Sequence, residues 1–119
     1  MTTDKRKDAL AAKGIADKFL GSILDRKKGD HLFPWRPFAA KSYRDTRIQP
    51  YLPRYVGYEV RRARTTEEKR GKPSVVMVEV GLRSGKRYTV IGELTVIRED
   101  GEFGVHPYRW HVLKIERSE

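Results

Sequence analysis

SVVMVEVGLRSGKRYTVIGELTVIR, residues Ser74 to Arg98, is the stretch whose reading decides the fold. Val76, Val78, Val80 and Leu82 alternate along one face. After Arg83-Ser84-Gly85-Lys86-Arg87 the alternation resumes with Tyr88, Val90, Leu94 and Val96. Period-two alternation of β-branched residues, interrupted once at Ser-Gly, predicts two long antiparallel strands joined by a tight turn. Gly92 is the one missing side chain on that face, and marks either a bend in the sheet or the mouth of a pocket.

The neighbouring segments extend the hairpin into a sheet. Upstream, Arg54 to Arg64 predicts a strand with Val56, Tyr58 and Val60 on one face and Tyr55, Glu59, Arg61 and Ala63 on the other. TTEEKRGKP, residues 65–73, is a charged loop. Downstream, Glu99-Asp100-Gly101 predicts a turn, residues 102–107 a longer reach, and Tyr108 to Glu116 a fourth strand. From Asp8 to about Lys28 the period changes. Ala12, Ile15, Ala16, Phe19, Leu20, Ile23 and Leu24 recur at spacings of three and four, predicting a helix with one apolar stripe. Asp4 or Asp8 can cap its start and Gly29-Asp30 end it. Gly14 and Gly21, seven apart, weaken it locally but would let a strand approach.

Between helix and sheet lies the aromatic-rich segment His31 to Pro53. Pro34 and Pro37 forbid a continuous helix there, so a short helical turn over Phe38 to Thr46 is expected, with Phe38, Tyr43 and Ile48 inward. Pro50 and Pro53 make the rest an extended connector. Phe33, Trp35, Phe38, Tyr43 and Tyr51 either plug an open end of the sheet or line a pocket. The expected fold is α+β: an N-terminal helix packed in a curved four-stranded antiparallel sheet, with 8–119 a single domain and 1–7 a disordered tail.

Composition bounds the function. The chain has 119 residues, a charged fraction of 35%, a net charge of +10 and no cysteine, which excludes disulfides and thiolate metal sites. No apolar run approaches the roughly 20 residues that span a bilayer. The N-terminal MTTDKRKDALAAKG lacks the apolar core of a signal peptide. The compartment is left open between a cytoplasmic chain and an exported domain lacking its signal. His31, His106 and His111 have no helical metal spacing, so neither metal nor cofactor is expected. The serines lack a nucleophile-elbow context. RSGKR is a hairpin turn and lacks the strand–loop–helix setting of a phosphate-binding loop.

Three segments carry a resemblance: ADKFLGSIL (Ala16 to Leu24), TVIREDGEF (Thr95 to Phe103) and RWHVLKIE (Arg109 to Glu116). In this order they resemble the nuclear transport factor 2-like superfamily, in which a curved, cystatin-like cone of antiparallel strands wraps an N-terminal helix. The superfamily holds isomerases, hydrolases, dehydratases, transport factors and binding domains, so the resemblance implies a fold and does not choose an activity. Its ketosteroid isomerase-like members use acidic and tyrosine side chains inside the cone. Here the predicted inner face is aliphatic, leaving Trp35, Tyr43, Tyr51, Tyr58, Arg62, Tyr88 and Gly92 as pocket candidates.

The opposite face carries Glu59, Arg61, Glu79, Glu93 and Arg109 together with Val75, Met77, Ile91, Ile97, Leu113 and Ile115. That mixture predicts association, with Met77, Glu79, Ile91, Glu93 and Leu113 at a homodimer interface through the sheet face. The expected function is a noncatalytic domain for a small apolar ligand or a protein partner. An enzyme of isomerase or hydrolase type is the alternative, because reversed strand parity would gather Glu59, Glu79, Glu93 and His111 inside. A third reading places nucleic acid on Arg61, Arg62, Arg64, Lys69, Arg70 and Lys72, with Arg98 and Arg109 nearby. Interleaved Glu67, Glu68, Glu99, Asp100 and Glu102 argue against it.

Overall fold

The computed structural model describes residues 2–25, 33–66, 74–85 and 87–117. A helix, α1 (Thr2–Leu24), precedes two single 3-10 turns, Arg36–Phe38 and Lys41–Tyr43. Four strands follow: β1 (Gly57–Thr65), β2 (Val75–Arg83), β3 (Tyr88–Glu99) and β4 (Glu102–Arg117). They form one open antiparallel sheet in the order β1-β2-β3-β4, and α1 packs on it. The chain is therefore α+β, one helix on a four-stranded meander. Among the described residues no helix is long and apolar enough to cross a membrane.

The helix begins at Thr2, earlier than the apolar stripe predicts, so the expected tail continues α1. Thr2 to Lys7 holds neither proline nor glycine, so nothing in its sequence breaks the helix. Asp8 also meets Arg98 of β3 at 3.7 Å, which ties this end to the sheet. The expected stop at Gly29-Asp30 lies outside the described residues. Ala12, Ala16, Phe19 and Leu20 are fully buried against Val76, Val78, Val80, Leu82, Leu94, Val96 and Val105. Leu24, the last member of the predicted stripe, is exposed. Two tyrosines lock helix to strand: the Tyr55 hydroxyl donates to Leu20 O at 2.7 Å, and Tyr58 to Asp17 O at 3.1 Å. A Cβ on Gly21 would sit 2.9 Å from the Tyr58 oxygen, so this glycine is where the strand residue crosses. Beside Gly14 there is open space.

The central hairpin pairs in a continuous register from Val75↔Ile97 to Arg83↔Thr89. Its even-numbered residues face the helix. The β3–β4 turn is the two-residue Asp100-Gly101 loop, with φ of 50° and 79°. Two successive positive φ values are the primed-turn geometry that Asp-Gly favours.

The outer strands depart from simple alternation. In β1, Val60↔Val80 is followed by Ala63↔Val78, so a bulge sets Arg61 and Arg62 against Glu79. Ala63 then joins Val60 on the core side and Arg64 turns outward, whereas unbroken alternation places Arg62 inward. The strand also starts later than predicted. Val56 is exposed, and Tyr55 takes the packing position expected for it. In β4 a bulge between Val112 and Lys114 brings Ile115 to the inner face, opposite Val90. The predicted reach over 102–107 is itself strand, and β4 runs through it with its irregularity at 106–109.

Candidate functional site

The aromatic segment divides between two tasks. Trp35 is 1% exposed and meets Phe19 and Phe33 edge-on, with centroids 5.9 and 6.1 Å away. Phe38 packs on the same core. These rings plug the sheet. The single predicted helical turn is instead two 3-10 turns, the first with Pro37 in its opening turn. Between them, Ala39 and Ala40 are buried against the outer edge of β4, where Ala40 N donates to Val105 O at 2.9 Å. Ile48, expected inward, is exposed.

Further along, Tyr51 N donates to Pro107 O at 2.9 Å and draws the extended connector along the same edge. That step creates an open groove of about 410 Å³ between the connector and the inner face of β3–β4. Tyr51, Leu52 and Pro53 form one wall, and Val90, Trp110, Val112 and Ile115 the other. Tyr51 is 74% and Ile115 65% exposed. Gly92 lies under this wall: the Trp110 ring occupies the space a Cβ would need. A second hollow of about 300 Å³ shares Leu52 and Pro53 and is otherwise lined by Ile23, Gln49, Pro50, Arg54 and Tyr55.

A polar knot holds the connector beside the groove. Tyr108 N donates to His106 Nδ1 at 3.3 Å, so the ring proton sits on Nε2 and is donated to the Tyr43 hydroxyl oxygen at 2.8 Å. The Tyr108 hydroxyl donates to Ile48 O at 2.8 Å and meets Thr46 Oγ1 at 2.6 Å. Burial, with Arg109 assisting, lowers the His106 pKa from its ordinary 6.5, while Glu99 acts weakly the other way. A neutral ring disfavoured from protonating binds fewer protons than the unfolded chain does below 6.5. Stability is therefore full above that pH and falls as pH drops through it. Urea unfolding at pH 7.5, 6.0 and 5.0 is expected to show this loss in the native chain and a flatter profile in His106→Gln. Parallel profiles would remove His106 from the account.

On the far side of the sheet, ion pairs cover the residues that predicted association. Arg64 clasps Glu93 bidentately at 3.0 and 3.1 Å. Arg61 reaches Glu59 at 2.8 Å, Glu79 at 4.0 Å and Glu116 at 3.4 Å, and Arg62 reaches Glu79 at 3.7 Å. Ile91 Cδ1 and Arg61 Nε both lie over the bare backbone of Gly81. Ile91 is thereby 1% and Glu93 6% exposed within one chain, and Met77 is partly buried. Long arginine stems shield apolar surface while their heads stay in water.

Of the seven pocket candidates, Tyr51 alone lines the groove, and Gly92 supports it from beneath. Tyr88 stands on the inner face one row beyond Val90. Trp35 is core. Tyr58 is bound to α1, where burial and then Asp17 push its pKa up to about 12. Tyr43 belongs to the His106 knot. Arg62 has a side chain 84% exposed at the bulge. Among the dimer-face candidates Leu113 is exposed, whereas Glu79 and Glu93 lie under arginines. Glu59 and His111 are exposed on that outer side, His111 opposite Glu93. Leu52, Pro53, Val90, Trp110, Val112 and Ile115 form most of the groove and were not singled out as site residues. The signal for Ile115 was its place beyond a bulge, which spacing alone does not reveal. The proposed nucleic-acid arginines 61, 62 and 64 already face carboxylates, and Lys69, Arg70 and Lys72 lie outside the described residues. Among the described residues no group of three or more His, Asp or Glu side chains could hold a metal ion. No family model, curated protein or solved structure matches the chain.

Proposed function

We propose that this chain is a noncatalytic binding domain that holds a small apolar ligand in the groove between the 51–53 connector and β3–β4. The observation that carries the reading is the groove's lining: Tyr51, Leu52, Pro53, Val90, Trp110, Val112 and Ile115, with no ionisable group but a phenol. A concave, apolar site of several hundred Å³ left open to water is the usual setting of small-molecule recognition. The direction of Glu59, Glu79, Glu93 and His111, away from the helix-covered face, supports binding over acid–base chemistry. The nuclear transport factor 2-like shape and homodimerisation belong to this proposal too. For the second, exposed Leu113 and the edge of β4 beyond Pro107 are the available surface, because a strand edge invites pairing.

Titration with N-phenyl-1-naphthylamine, an uncharged apolar fluorophore, tests the groove. One saturable site per chain is expected, weakened at least about tenfold by Ile115→Glu, since an apolar ligand covering that wall would have to strip water from a carboxylate it cannot hydrogen-bond. Ile115 is exposed, so the variant is expected to unfold at the native temperature. Absent saturation, or equal binding by the variant, would refute the reading.

A further inference from the structure

We propose that the groove's ligand is a single-chain anionic amphiphile, a medium-chain carboxylate whose tail lies along β4 and whose head meets Arg117. The inference rests on the groove being the binding site and adds the chemical class of what it binds. Three observations carry it.

The first is length. The β4 wall runs from Trp110 to Ile115, roughly 13–16 Å at ordinary strand rise, which matches an extended medium-chain tail better than a compact ring.

The second is charge. Arg117 pairs across the ladder with Tyr88, in the row beyond Val90↔Ile115, and so stands on the groove's own face at its end. It is exposed and takes part in no ion pair among the described residues, in contrast to Arg61, Arg62 and Arg64.

The third is the lack of a competing sign. The two hollows together are lined by one charged residue, Arg54, which is also a cation. Asp25 bears on Tyr55 in the second hollow, beside Arg54, whereas Glu116, between Ile115 and Arg117, faces the outer side of the sheet, where it meets Arg61 and Lys114. The head is therefore assigned to the Arg117 end. An apolar trough ending in a guanidinium that pairs with no carboxylate among the described residues discriminates by charge at one point and by length everywhere else. Arginine is suited to this, since its planar fork grips a carboxylate with two parallel hydrogen bonds.

Calorimetric titration of the full chain with sodium dodecanoate, dodecanol and dodecyltrimethylammonium, all below micelle formation, tests the assignment. Dodecanoate is expected to bind one per chain and about 5- to 10-fold tighter than the alcohol, with the ammonium weakest. Arg117→Gln is expected to bring dodecanoate down to the alcohol's affinity and leave the alcohol unchanged. Lys18→Gln, which removes one charge from an exposed position on α1, is expected to leave all three unchanged. If acid and alcohol bind equally, or Arg117→Gln and Lys18→Gln behave alike, the carboxylate assignment falls while the apolar groove stands. If none of the three binds, the groove reading falls with it. Binding confined to anionic phosphatidylglycerol vesicles, with none to monomeric dodecanoate, would overturn the proposal in favour of a membrane surface.

Discussion

Gly104→Ala is expected to cost about 2–3 kcal/mol of stability, the largest effect of any alanine substitution at a glycine among the described residues. A Cβ at Gly104 would fall on the backbone of Ala39 and Ala40, meeting Ala40 N and Cα and, at 2.5 Å, Ala39 O. Those atoms cannot yield easily. Both alanines are buried, Ala40 N is hydrogen-bonded to Val105 O, and Ala39 forms a parallel bridge to the same valine. Relieving the clash therefore means lifting the segment off β4, along with the Tyr43–His106 contact that follows it. Gly92→Ala meets the far end of the Trp110 ring and His111 O at 2.7 Å, and is expected to cost somewhat less because the ring faces the open groove. Gly14→Ala should reverse the sign and gain up to about 1 kcal/mol, because it adds helix propensity where nothing lies within 4 Å. Urea denaturation of the three variants measures the order. A Gly104→Ala chain as stable as the native one would mean that the 39–40 segment is not seated on β4 as described.

The hairpin over Ser74–Arg98 was legible because both its strands keep unbroken alternation and the register runs through without a shift. The helix was legible because its apolar spacing is sustained over several turns. Strands β1 and β4 were legible as strands but not in their facing. One extra residue at Arg61-Arg62 turns Arg62 out and Ala63 in, and another near Leu113 turns Ile115 in. A bulge changes which side every later residue faces, and no local composition marks it. The groove was lost for that reason: its β4 wall needs Val112 and Ile115 on one side, and they differ in parity. The connector wall was equally hidden, since it depends on one long-range bond, Tyr51 N to Pro107 O. The aromatic plug, in contrast, followed from ring density alone, although which rings plug and which line was not separable in advance.

The pair Arg64–Glu93 decides how the outer face should be understood. Glu93 is buried at the centre of the sheet, on β3, and its two oxygens are held by one guanidinium. Arg64→Met leaves that carboxylate without its partner in a place water reaches poorly. The expected loss is about 1–3 kcal/mol, set below the value for a fully buried pair because the Arg64 side chain is itself largely exposed and screened. Arg64→Met with Glu93→Met should recover most of that stability, since a matched apolar pair has no charge to desolvate. It should also change the company the chain keeps. With the ion pair gone, Met77, Ile91 and the two new methionines would form one apolar patch beside Thr95, and such patches associate. Light scattering at tens of micromolar is expected to show a mass increase in the double variant beyond whatever the native chain displays. On this account the arginines of β1 do for Ile91 and Glu93, within one chain, what a partner subunit would otherwise do. If Arg64→Met is as stable as the native chain and the double variant scatters no more light, the arginine cover contributes nothing, and the sheet-face interface becomes the better account of Ile91 and Glu93.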